Sequence, residues 1–346
     1  MEIIGLDLHK RESQLCIQAE NGTIQERRLA TSRDRFAAVL GARPRARILL
    51  EATTESEWVA RHLEALGHEV IVADPNYAPM YANRSRRTKT DKRDARTLLD
   101  ACVTGAYRPA HRLSEARRHV RAELAVRDAL VRTRTRLIAL AKTFVRREGL
   151  RVAGSSAARV AAHLTALLAT LPPETPLAGE LAPLLMLLES LSAQITAADH
   201  RIAALAAADP GVQRLMTAPG IGAVTACAVV ATVDDVTRFR AAHALEAYLG
   251  LVPSEHSSGE RRQLGRITKA GNRRTRWLLV EAAWRLMRST TPETAALRAW
   301  AQAIAARRGR RIAMVALARR LTGILFAMWR DGVAYDAARL RLPHHA

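Results

Sequence analysis

The apolar pattern of this chain changes period once, near residue 113, and that change limits the fold more than any single motif does. Before it, short β-type runs dominate: "EIIGLDL" (2–8), "SQLCIQA" (13–19), "GTIQERRLA" (22–30), "RARILLEA" (45–52) and "HEVIVAD" (68–74). An amphipathic helix is predicted over 55–67, "ESEWVARHLEALG", closed by Gly67. The order of three antiparallel strands, then β-α-β, then a helix is that of a ribonuclease H-like domain, although many α/β domains share pieces of it. After residue 113 the chain reads as helix. Leu130, Leu137 and Phe144 recur every seven residues, with Leu140 between them. A stricter repeat follows, Leu181, Leu188, Ile195 and Ile202, with the companions Leu184, Leu191, Ala198 and Leu205. These heptads predict a coiled-coil seam or, failing that, a helix packed inside one domain. Asp209-Pro210-Gly211 ends the helix. The expected division is therefore 1–112, α/β; 113–209, helical and coiled-coil; and 210–346, a second compact, mainly helical domain.

Within the first strand Asp7 interrupts an apolar run, where a carboxylate is costly unless something cationic sits beside it. Glu51 has the same problem at the end of the fourth strand. In the predicted order, strands one and four are parallel neighbours, so both carboxylates leave the sheet at one point. Asp91 and Asp94, in "KTDKRDA", fall three apart on one face of the next helix. Four converging carboxylates suit a hard divalent ion. Mg²⁺ is the expected cofactor, because it takes oxygen ligands and substrate phosphate, and paired ions activate the attacking oxygen and stabilise the leaving one. Plainer roles stay open: Asp91 as a helix-start residue favoured by the macrodipole, and Glu51 as a solvated strand end with Glu55 or Glu57 the true ligand. Asp74 and Asp100 are spare carboxylates.

Acid at these positions is the more pointed because the chain carries 54 basic against 33 acidic residues, a formal net charge of +21. Only five of the basic residues are lysine, and arginine favours bidentate contact with phosphate, so a nucleic-acid partner is expected. Arg84, Arg86, Arg87, Lys89, Lys92 and Arg93 precede Asp94 and are expected to form a phosphate clamp beside the ion cage, the plainer reading being a solvated loop. Further on, "PSEHSSGERRQLGRITKAGNRRTR" sets Ser257 and Ser258 before Gly259, followed by Arg261, Arg262, Arg266, Lys269, Arg273, Arg274 and Arg276. A hydroxyl among cations can attack a phosphodiester, but Ser-Gly in a polar loop is also an ordinary turn. "PGIG" (219–222) fits a helix-hairpin-helix phosphate turn or a plain helix connection. Cys16, Cys102 and Cys227 are scattered, which argues against zinc and disulfides and suits a reducing cytosol. Apolar runs such as 223–233 are too short to span a membrane, so a soluble protein is expected.

"GLDLHK", Glu51-Ala-Thr, "KTDKRDA", "PGIG", "YLGLVP" with "SSG", and "ITKAGNRRTRWLL" occur in that order over nearly the whole chain. In this the chain resembles the insertion-sequence 110 transposases, the DEDD recombinases that include Piv-like invertases. The resemblance implies a RuvC-like N-terminal domain, a coiled-coil insertion and a C-terminal transposase domain. It implies that Asp7, Glu51, Asp91 and Asp94 are the metal-binding tetrad, and that the serine before Gly259 is a nucleophile forming a covalent phosphoserine–DNA intermediate. Ser258 adjoins Gly259, and Ser257 remains the alternative. The partners implied are double-stranded DNA (element ends and target), a bridge-type noncoding RNA, and further copies of the chain as dimer or tetramer, in a bacterial cytoplasm at the nucleoid. The competing readings are a RuvC-like structure-specific endonuclease using metal and water alone, an actin-like ATPase, and a non-catalytic RNA-binding module.

Overall fold

The computed structural model describes residues 1–81, 90–152, 156–172, 175–255 and 263–340. The protein is mixed α/β and 61% helical. It separates into two compact units, Met1–Arg112 and Leu113–Ala346.

The first unit is built on a five-stranded sheet in the order β3-β2-β1-β4-β5. The strands are β1 (Ile3–Leu8), β2 (Glu12–Gln18), β3 (Ile24–Ala30), β4 (Arg47–Glu51) and β5 (Glu69–Ala73). β1 and β2, and β2 and β3, pair antiparallel; β1 with β4, and β4 with β5, pair parallel. One sheet face presents Ile4, Leu6, Ile17, Ile48 and Leu50 to α1 (Arg33–Leu40) and α2 (Ser56–Ala65), which contribute Phe36, Leu40, Val59 and Leu63. The opposite face presents Cys16 and Leu49 to α3 (Asp91–Thr104), through Ala95, Leu98, Leu99 and Cys102. Two helices on one face and one on the other leave the central strands covered on both sides, which explains the nearly unbroken apolar character of β4. Helix α1 was not anticipated. It buries only Phe36 and Leu40, so its apolar stripe is too thin to stand out, and its start depends on Ser32 accepting from the Arg35 amide at 3.3 Å.

In the second unit α4 (Glu115–Arg147), α5 (Val160–Leu168) and α6 (Pro176–Ala207) come first. Ion pairs fix the antiparallel register of α4 against α6: Arg147 to Glu180 at 2.5 Å, Arg127 to Asp199 at 2.5 Å, and Arg201 to Glu123 at 2.9 Å. Leu181, Leu188, Ile195 and Ile202 are buried. Leu181 and Leu188 pack among Ala141, Val145 and Leu164 of α4 and α5. The heptad seam is thus filled from within the chain. Beyond it, α7 (Pro210–Met216), α8 (Ala223–Val233), α9 (Ala242–Tyr248), α10 (Arg273–Arg288), α11 (Ala295–Arg308) and α12 (Arg310–Asp331) enclose a second core around Val229, Leu279, Leu317 and Leu321. A short ribbon, β6 (Pro253–Glu255) with β7 (Leu264–Ile267), interrupts the helices. Gly220 of "PGIG" has a packing reason: a Cβ there would sit 2.9 Å from the Ala282 carbonyl oxygen of α10, at a φ of +82°.

Helices α6 and α12 reach the length and apolarity of a membrane span, with mean hydropathy of 1.4 and 1.5 over their most apolar stretches. Reading uninterrupted runs missed both, because single polar residues divide each run without lowering its average much. Half of the α12 stretch is buried inside the unit, as in a core helix.

The internal seam makes a sharp prediction. Ile195→Asp should destabilise the second unit by about 3–5 kcal/mol in urea unfolding, the cost of a buried charge without a partner, and leave the mass of the folded species unchanged. A variant of unaltered stability but smaller mass by light scattering would mean that the seam faces another subunit.

Candidate metal centre

Strand pairing brings the first two carboxylates together. The register that sets Leu6 of β1 beside Leu50 of β4 carries Asp7 and Glu51 to the same, carboxyl-terminal end of two parallel strands. This is where open α/β sheets form their clefts. The other two come from α3, whose first turn holds Asp91 and Asp94. That helix starts where Thr90 accepts from the Arg93 amide at 3.4 Å. It can lie on β1 because residue 5 is glycine: a Cβ there would be 2.9 Å from the Leu99 Cα and closer still to the Ala95 carbonyl oxygen and the Leu99 amide nitrogen.

The result is a cavity of about 290 Å³ lined by Asp7, His9, Glu51, Thr53, Tyr81 and Asp94. Asp91 stands at its edge. His9 Nε2 lies 3.2 Å from Asp7 Oδ2 and 3.5 Å from Asp91 Oδ1. One ligand atom from each of Asp7, His9 and Asp91 fits within a span of 4.8 Å. Burial raises the Asp7 pKa first; His9 lowers it, and Asp94, Asp91 and Glu51 each raise it further. All four carboxylates therefore share one electrostatic neighbourhood. Asp7 Oδ2 is buried and, among the described residues, has the His9 contact but no well-aligned hydrogen-bond donor. A buried anionic oxygen without such a donor, facing three more carboxylates, fits a hard divalent cation. The donor set is mostly oxygen with one imidazole at the rim.

The alternatives to Glu51 are occupied elsewhere. Glu55 accepts from the Trp58 indole at 2.6 Å. Glu57 is bound by Arg112 at 3.0 Å and Arg61 at 3.4 Å. The spare carboxylates have cations of their own: Asp74 pairs with Arg108, and Asp100 with Arg96 at 3.2 Å. His9 was missed as a participant. Its signal was its place two residues after Asp7, which on an extended strand is the same side.

The basic candidates divide. Lys92 lies 3.4 Å from Glu26. Arg93 begins α3 beside the site. Arg266, Lys269 and Arg273 are exposed. Arg274 is half-buried and ion-paired, with Nη2 2.7 Å from Asp128 Oδ1. Arg276 is no phosphate ligand, since it is buried and donates to the carbonyls of Leu249 at 2.9 Å and Ala270 at 2.6 Å. It thereby ties the ribbon's base to α10, which Asn272 caps by accepting from the amides of Arg274 and Thr275. Arg84, Arg86, Arg87 and Lys89, and Ser257, Ser258, Arg261 and Arg262 between the two strands of the ribbon, lie outside the described residues.

Comparison with known proteins agrees over both units. A DEDD-type family profile named for IS110 and described as a transposase matches residues 4–147, which include Asp7, Glu51, Asp91 and Asp94. A profile described as the transposase IS116/IS110/IS902 family matches residues 212–299, which include Ser257 and Ser258. A probable family 20 transposase of Pseudomonas aeruginosa is 32% identical, over 96% of this chain and 98% of its own. The transposase for insertion sequence element IS1111A of Coxiella burnetii is 29% identical, over 95% of this chain and 89% of its own. That for element IS1328 of Yersinia enterocolitica is 27% identical, over 96% and 98%.

Carboxylate crowding has a measurable cost. Asp7→Asn should raise the melting temperature of the metal-free protein by a few degrees at neutral pH while abolishing divalent-ion binding. The sign follows from the raised folded pKa of Asp7. Its favourable contribution is present in acid and is lost as pH rises through that value. The variant's advantage should therefore vanish in acid, where Asp7 is protonated in both states. Equal stability of the two proteins at neutral pH would contradict a cost of holding Asp7 charged in its buried, carboxylate-lined place.

Proposed function

The chain belongs to the IS116/IS110/IS902 family of transposases, and on that premise we propose that it cuts and exchanges DNA strands with Asp7, Glu51, Asp91 and Asp94 as metal ligands and Ser258 as nucleophile. The observation that carries this reading is the meeting of Asp7, Glu51 and Asp94 in one cavity, with Asp91 at its edge and a buried Asp7 oxygen lacking a well-aligned donor among the described residues. A DEDD transposase domain calls for a divalent metal, and the oxygen-rich donor set favours Mg²⁺. When bound, the ion supplies Lewis-acid stabilisation of charge on the scissile phosphate. His9, between Asp7 and Asp91, holds those two carboxylates in place. Exposed Arg266, Lys269 and Arg273 bind the phosphodiester by charge.

Ser258 Oγ then forms a bond to phosphorus while one bridging P–O bond breaks. The serine proton passes to a base or to water, and the departing strand end takes up a proton as a free hydroxyl. Attack by a hydroxyl of the partner strand reverses these steps, so the number of phosphodiester bonds is conserved without a nucleotide cofactor. The tetrad lies in Met1–Arg112 and the serine in Leu113–Ala346. We take the complete site to be assembled in a homo-oligomer, dimer or tetramer. Met186 and Leu187, 73% and 52% exposed on α6, offer apolar surface for such contacts. The RuvC-like reading of the first unit is supported by its strand order. The reading of a bridge-type RNA as guide is supported by the +21 charge and the family resemblance, in a bacterial cytoplasm at the nucleoid.

The test traps the reaction on a nicked suicide substrate made from the cognate element ends, with the element's flanking RNA and Mg²⁺, and locates the modified peptide by mass spectrometry. Wild type should give an adduct on Ser258. Ser258→Ala should keep DNA and RNA binding and give none, and Asp94→Ala should neither cleave nor form an adduct. An adduct on Ser257 would reassign the nucleophile. Cleavage without any adduct would favour the nuclease that uses metal and water alone.

A further inference from the structure

Away from the metal centre, a cleft of about 210 Å³ opens between α4, α8 and α10. Four arginines line it, Arg121, Arg127, Arg132 and Arg274, with the single carboxylate Asp128. Asp128 is 6% exposed. It holds Arg274 at 2.7 Å through Oδ1 and pairs with Arg132 through Oδ2. The contact to Oδ1 is one of charge, since that oxygen accepts no well-aligned hydrogen bond. Arg127 is turned to Asp199. Among the described residues no carboxylate pairs with Arg121. Two guanidiniums therefore share one buried anion, and a third, that of Arg121, lines the same cleft.

The imbalance is felt at Arg274. Burial lowers its pKa first, Asp128 opposes this, Arg132 and Arg127 lower it further, and Glu281 opposes them. A second anion in the cleft would relieve that repulsion. The guanidinium of Arg274 also lies 4.3 Å over the ring of Trp277, which is 47% exposed. An exposed indole beside a cationic cleft is the arrangement that binds single-stranded nucleic acid, the phosphate by charge and the base by stacking. Leu124, Val224 and Leu278 give the cleft an apolar wall, and Asn272 and Thr275 place polar groups at its floor.

We propose that this cleft takes one nucleotide of a single strand, with Arg121, Arg132 and Arg274 on its phosphodiester and Trp277 against its base. The proposal rests on the reading of the chain as a nucleic-acid enzyme but not on the metal centre. Helix α10 begins shortly after β7, and Arg276 ties its first turn to the base of the ribbon, so a strand held on Arg274 and Trp277 lies beside that base. Asp128 is then the resident counter-ion that keeps Arg132 and Arg274 in place before the strand arrives.

The test measures binding of labelled single-stranded DNA, RNA of the same sequence and duplex DNA to wild type, Arg121→Gln and Trp277→Ala over a range of salt. Both side chains are exposed, so the variants should fold, and thermal melting checks this. Arg121→Gln should weaken single-strand binding roughly threefold to tenfold and lower the slope of log affinity against log salt by about one. Trp277→Ala should weaken it about tenfold or more with the slope unchanged, and should leave duplex binding as it is. The larger loss, on DNA or on RNA, identifies which strand occupies the cleft. If either folded variant binds single strands as wild type does, the proposal is overturned, and the Asp128 pairs only join α4 to α10. If wild type binds none of the three probes, the nucleic-acid reading beneath it fails instead.

Discussion

The missing Cβ of Gly5 allows the backbone of α3 to touch the backbone of β1, and the gathering of carboxylates in the first unit depends on that contact. Any larger residue would push Ala95 and Leu99 outward, and with them the turn of α3 that carries Asp91 and Asp94. Those two carboxylates would then move away from Asp7 and Glu51, which the sheet holds fixed by the pairing of β1 with β4. Backbone-to-backbone packing is stiff, because it leaves no side chain to change rotamer. A site that must hold several like charges close together needs such stiffness, since their repulsion works to open it.

Charge is handled in opposite ways in the two units. In the first, among the described residues, carboxylates gather around Asp7 with His9 as its ion-pair partner, whereas the spare acids Asp74 and Asp100 each have an arginine. In the second, among the described residues, arginines outnumber carboxylates in one cleft, with Arg132 and Arg274 on Asp128 and Arg121 in the same lining. Among the described residues, one cluster is rich in anions and the other in cations. A metal ion and a phosphodiester are the two species that would complete them, and a transposase handles both.

Much of the first unit was legible in the sequence, because its strands are short apolar runs bounded by polar turns. The positions of all five follow from the runs to within a few residues. The carboxylates that the structure brings together were marked too, since Asp7 and Glu51 are charges in apolar surroundings and Asp91 and Asp94 share a helix face. The choice among Glu51, Glu55 and Glu57 was not. It depends on Trp58, Arg61 and Arg112, whose contacts engage the last two. Helix α1 was hidden by its polar composition. The heptads of α6 were plain, yet a periodic pattern states that a face is covered and not by what; here α4 of the same chain covers it. Arg274 looked like a free phosphate ligand because its partner, Asp128, lies far away in sequence.

The central claim is that Asp7, Glu51, Asp91 and Asp94 surround one ion-binding point. Anomalous scattering from crystals of the full chain grown with Mn²⁺, a redox-stable stand-in for Mg²⁺ with the same taste for oxygen ligands, tests it directly. One or two anomalous peaks should lie in the cavity at the ends of β1 and β4, within bonding distance of Asp7 and at least two of the other three carboxylates, and should vanish in Asp7→Asn. Mn²⁺ peaks only elsewhere on the protein, with the cavity empty at saturating ion, would contradict it.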